Sequence, residues 1–237
     1  ESIAAEPAVL ADLYTAVTQH SGTSFQAVIG GSLHLHQNGG VAPTRFLKVS
    51  DLVWIYDLDP EERRAFGLAA CRRAEIQPDP HGLETLFKQA GGDLFLIERI
   101  LGICLKQMER RGQKKLTSPR VADAIDTFLS NSLNDKIKNI LRQVEGDTNL
   151  LHSTLLMLEH GAMPVSQLPM KLTEFPNSLD LCGIFERDGD HYFIKNNIWA
   201  QLLQKHLNPA RVGGFYAVNG RWQNAFTYLG RALNEGQ

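Results

Sequence analysis

Residues 178–206, SLDLCGIFERDGDHYFIKNNIWAQLLQKH, constrain the fold of this chain more than any other stretch. Leu179, Leu181, Ile184 and Phe185 form an apolar run that breaks at Asp188-Gly189-Asp190. Tyr192, Phe193 and Ile194 resume it, and Ile198, Trp199, Leu202 and Leu203 then recur at helical spacing. Asp-Gly between two apolar segments predicts a tight hairpin, because glycine supplies the positive φ that a two-residue turn demands. The expected order is therefore helix, hairpin, closing helix.

Upstream segments give that hairpin a context. Asn134–Val144 and Asn149–His160 read as two helices, with Ser166–Leu172 and Ser178–Gly183 as an irregular third part. Two helices, an irregular helix and a hairpin with a closing helix describe a winged-helix domain over residues 131–207. The preceding segment, 59–130, reads as a helical module of about four helices. It opens at Asp59-Pro60-Glu61-Glu62, with a capping carboxylate, proline in the first turn and two acids beside it. Gln77–His81 reads as a proline turn, Leu83–Ala90 as a helix stopped by Gly91-Gly92, and Asp93–Arg110 as a long helix. A basic linker follows (Arg110, Arg111, Lys114, Lys115), and Ser118-Pro119 starts another helix.

Residues 1–58 differ in kind. A helical face at Val9, Leu10, Leu13 and Val17 precedes the apolar run Phe25–Ile29, which ends at Gly30-Gly31-Ser32. A second extended run, Leu52–Tyr56, ends at Asp57. Helix plus buried strand predicts α/β architecture, and two strands suggest the last part of a larger sheet. Together with the opening residue, Glu1, this gives the expectation of a fragment. After Pro209, the spacing of Gly213, Tyr216, Ala225, Leu229 and Ala232 suggests either a tetratricopeptide-like hairpin or an ordinary helical pair over residues 208–237. The expected fold class is mostly α with minor β.

Composition excludes several function classes. The formal net charge is −2, so no global basic field attracts nucleic acid. The third helical part carries Lys171 against Glu174 and Asp180, too few bases for reading DNA. Cys71, Cys104 and Cys182 have no metal spacing and read as buried thiols, as expected for a cytoplasmic protein. No run approaches the roughly 18 apolar residues of a membrane span. His34 and His36 lack a third ligand in sequence reach, and His152 and His160 read as core or surface histidines. There is no G-x-S-x-G, no H-E-x-x-H and no G-x-x-x-x-G-K-[ST] phosphate loop, so the chain alone is expected to be catalytically inactive.

The order strand, Gly-Ser loop, strand, four-helix lid, winged helix and helical repeat resembles the C-terminal half of a STAND signal-transduction ATPase of the AAA+-related class. Phe25–Ser32 is similar to that family's first sensor strand and loop, which makes Ser32 a candidate nucleotide contact. Gly91-Gly92-Asp93-Leu94 is similar to its lid motif, where glycine and proline approach adenine; Leu94 stands in the proline's place. Phe193-Ile194-Lys195-Asn196 falls where many members place a phosphate-contacting histidine, and Lys195 or Asn196 could donate instead. The resemblance implies ATP or ADP as cofactor, with magnesium in the parent protein, held by a core outside this chain. It also implies an N-terminal NTPase core and an effector domain as partners, with possible oligomerisation and no membrane. The alternative is a winged-helix transcription regulator. Because Lys195 and Asn196 are polar and expected at an interface, their loss is expected to leave the fold intact.

Overall fold

A computed structural model describes residues 57–236, apart from 132, 170–171 and 173–176. Ser32, His34, His36 and the expected elements before Asp57 lie outside the described residues. Among those described, helices dominate and strands are few and short, so the chain is mostly α with minor β.

The N-terminal helical group follows the sequence signals closely. In α1 (Pro60–Arg73), the Asp59 side chain accepts from the backbone of Glu61 and Glu62 while Glu62 reaches back to the Asp59 amide, a complete capping box. The helix closes with Ile76 N–H donating to Cys71 C=O and Glu75 N–H to Arg72 C=O. That double bond pattern puts Glu75 at φ 55°, a left-handed position usually given to glycine. α2 (Pro80–Ala90) starts at Pro80, inside the segment expected to be a turn. α3 (Leu94–Arg110) buries Leu96, Ile97, Ile100, Leu101, Cys104 and Met108, an unbroken helical stripe. α4 (Ser118–Ser130) buries Val121, Ile125, Phe128 and Leu129 against it.

Two features of this group depart from the sequence reading. Gln77–Pro78 (β1) and Lys115–Leu116 (β2) pair in parallel, and each is too short to show a period-2 pattern. The basic segment therefore leads from α3 into β2 inside the helical group. Lys115 lies 3.4 Å from Asp79, Lys114 lies 3.9 Å from Glu75, and Arg120 donates to the Lys115 carbonyl.

The second group begins with α5 (Asp135–Gly146) and α6 (Thr148–His160). It continues through β3 (Ala162–Pro164), a 3-10 turn at Val165–Gln167, α7 (Ser178–Cys182), β4 (Phe185–Asp188) and β5 (His191–Ile194). The three strands form an antiparallel sheet in the order β3-β5-β4. Asp188 pairs with His191, so the two-residue turn is Gly189-Asp190, one position later than an Asp-Gly turn would sit. Gly189 takes φ 55° at the first central position, as a II′ turn requires. α8 (Asn197–His206) then inserts Ile198, Trp199, Leu202 and Leu203 into a core running continuously from Cys71 to Ala225.

α9 (Pro209–Val218) and α10 (Trp222–Asn234) make the terminal hairpin, with Gly213 packed directly against Leu229. Glu159 on α6 fastens it. One carboxylate oxygen accepts from Tyr216 Oη at 2.7 Å and Asn224 Nδ2 at 3.1 Å, and the other accepts from Arg221. No helix among the described residues is long and apolar enough to cross a membrane.

Candidate functional site

The four described candidates, Gly92, Leu94, Lys195 and Asn196, are about a hundred residues apart in sequence. The fold puts Gly92 between α2 and α3 with Leu94 at the start of α3, and Lys195 and Asn196 between β5 and α8. These two loops meet. Asn196 Nδ2 donates to the Ala90 carbonyl at 3.0 Å, and its Oδ1 accepts from Trp199 N–H at 3.0 Å to cap α8. Next to it, Asn197 Nδ2 donates to Gln89 Oε1 at 2.7 Å. Asn196 thus ties the C-terminal end of α2 to the N-terminus of α8. Its truncation costs a cap and a buried carbonyl's partner, contrary to the expected neutrality toward the fold.

The third segment of the junction is the backbone at Asp57-Leu58, which leads into α1. Leu58 N–H donates to the Gly92 carbonyl at 2.8 Å. A Cβ on Gly92 would fall 2.9 Å from Asp57 Cβ and closer still to the Leu58 carbonyl oxygen, so only glycine lets the two backbones pass. Lys195 Nζ meets Asp57 Oδ1 at 2.7 Å, with 18% of the lysine side chain exposed. Leu94 opens α3 with 45% exposure, an apolar surface beside this polar knot.

Sequence reasoning missed the groups that hold the junction from within. Asp93 is 8% exposed; its Oδ1 caps α3 at Leu96 N–H, and its Oδ2 accepts from Trp199 Nε1 at 2.8 Å. An acid after Gly-Gly and before an apolar helix is a capping signal, but its second oxygen's partner lies 106 residues away and leaves no local trace. Phe95 stacks near Trp199 with ring centroids 6.4 Å apart, and Lys136 Nζ sits 4.1 Å from the Phe95 centroid.

Elsewhere the chemistry is quiet. Cys71, Cys104 and Cys182 are free and buried, and burial raises all three thiols, Cys104 to about 11 and Cys182 to about 12. They are poor nucleophiles at neutral pH. Among the described residues no group of three metal-ligating side chains comes together. His152 packs tilted against Phe215 of the terminal hairpin, ring centroids 4.8 Å apart, and His160 lies 3.7 Å from Glu159. A groove of about 360 Å³ beside α3, lined by Arg99, Ile103, Lys106 and Phe128 among others, contains none of the four candidates.

No protein-family model, curated protein or solved structure matches this chain.

Proposed function

We propose that this chain is the lid and winged-helix portion of a nucleotide-dependent switch of the STAND type, closing over ADP or ATP held with magnesium by a core outside it. One observation carries the reading. The loop that carries the lid-type glycines and the residues following the hairpin, both singled out by the family resemblance, lie at one junction: Asn196 donates to the Ala90 carbonyl beside Gly91, and the Gly92 carbonyl accepts from Leu58. A lid and a winged helix that grip one nucleotide need such a shared face.

The junction also suggests how the grip is regulated. Lys195 is held by Asp57 at the end of the segment expected to belong to the NTPase sheet. A phosphate oxygen arriving there competes with the Asp57 carboxylate for the same ammonium, so nucleotide and core position are coupled through one cation. Differential contact of a few kcal/mol between ADP and ATP states is enough to bias such an equilibrium strongly. Leu94 offers apolar packing for adenine, without a hydrogen bond. A cytoplasmic location and an effector domain in the same protein complete the proposal.

The chain itself is expected to turn over no ATP, because it has no phosphate loop. Purified chain incubated with magnesium and ATP tests this; turnover abolished by a substitution within the chain contradicts the reading. A titration of the chain against random duplex at low salt separates the transcription-regulator alternative, since steeply salt-dependent binding belongs to that function.

A further inference from the structure

Three large apolar side chains on α10 face solvent, Trp222 at 60% exposure, Phe226 at 74% and Leu233 at 79%, and Leu229, packed on Gly213, keeps 37% exposure in the same stripe. At 3.6 residues per turn they fall within about 60° of arc, beside the Ala225 and Ala232 face that packs inward. The stripe contains no charge. Its spacing is 4, 3, 4, the step of an a/d coiled-coil seam.

That spacing reads the same in both directions. A second α10 laid antiparallel, centred between Phe226 and Leu229, places Phe226 beside Leu229 of the second copy and Trp222 beside its Leu233. This self-match is what a two-fold interface requires, because one patch must complement itself. The antiparallel sense also opposes the two helix dipoles favourably. Four side chains at these exposures present on the order of 500 Å². That is about the apolar share of the roughly 800 Å² per partner buried in a standard-size interface, which suits a reversible dimer.

We infer that α10 is a homodimerisation helix whose occupant is a second copy of this chain in antiparallel register. The inference is independent of the nucleotide reading. Sedimentation of the 237-residue chain over about 1–200 μM tests it first, with a reversible monomer–dimer equilibrium expected. Phe226→Glu is expected to leave a monomer throughout, with the melting temperature that the wild type shows at concentrations where it is itself monomeric. Mixing Phe226→Cys chains with Leu229→Cys chains under mild oxidation is expected to give the mixed disulfide faster than either variant alone gives its own. A wild-type monomer at 200 μM, the state expected if the stripe seats a helix from elsewhere in a longer polypeptide, overturns the inference. So does a dimer that survives Phe226→Glu, or preferential self-linking of Phe226→Cys.

Discussion

Two residues share a φ of 55° with opposite chemistry, and they give predictions of opposite sign. Gly189 turns the β4–β5 hairpin at φ 55°, where a β-branched side chain is strained. Gly189→Val is expected to destabilise the chain by about 1 kcal/mol or more. Glu75 closes α1 at the same φ without glycine's freedom, and its contact with Lys114 is an exposed 3.9 Å pair that contributes little. Glu75→Gly is therefore expected to stabilise by about 0.5–1 kcal/mol. Thermal melts of the two variants check both, and shifts of the same sign contradict the account. The glycine was legible in the sequence as a hairpin signal. The glutamate was not, because nothing in a glutamate's neighbours announces a positive φ.

At the scale of elements, the helices were legible and the contacts between them were not. Capping boxes and apolar stripes are local, so α1, α3, α5, α6 and α8 appear near their expected places. The β1–β2 pair, the Asp93–Trp199 bond and the Lys195–Asp57 pair join residues far apart in the chain, and a single sequence does not record such pairings. Of the candidate site, sequence motifs reached Gly92, Leu94, Lys195 and Asn196 but not the groups that fasten them. Trp199→Phe tests that fastening: it keeps most of the packing and leaves Asp93 Oδ2 buried without its donor. A loss of about 1–3 kcal/mol is expected in denaturant melts, and an unchanged midpoint contradicts the role given to Asp93.

The terminal hairpin makes the element-scale prediction a pH dependence. Burial lowers His152, with Arg221 adding to it; burial lowers His206, with Lys205 and Arg231 adding and a backbone bond to Leu129 opposing. Burial alone would raise Glu159, but Tyr216, Arg221 and His160 outweigh it and hold the carboxyl below its ordinary value. All three groups bind protons more weakly folded than unfolded. Their contribution is complete above the unfolded values, 6.5 for the imidazoles and 4.5 for the carboxyl, and is lost as pH falls through the folded ones. The melting temperature is thus expected to decline as pH drops below 6.5 and again below 4.5, with His152→Phe flattening the first decline. A melting temperature flat from pH 7.5 to 4 contradicts this.

Among the described residues, one core joins the helical group, the sheet-bearing group and the terminal hairpin. In the proposed function, Lys195 exchanges Asp57 for a nucleotide phosphate. ADP affinity of the polypeptide that carries this chain with its NTPase core, measured by calorimetry, tests it most directly. Lys195→Ala removes a charge-assisted bond of roughly 1.5–3 kcal/mol and is expected to weaken ADP by about 10- to 150-fold. Asp57→Asn releases the ammonium and is expected to tighten ADP. ADP affinity unchanged by both substitutions, or weakened by both, contradicts the exchange and leaves the junction a structural joint.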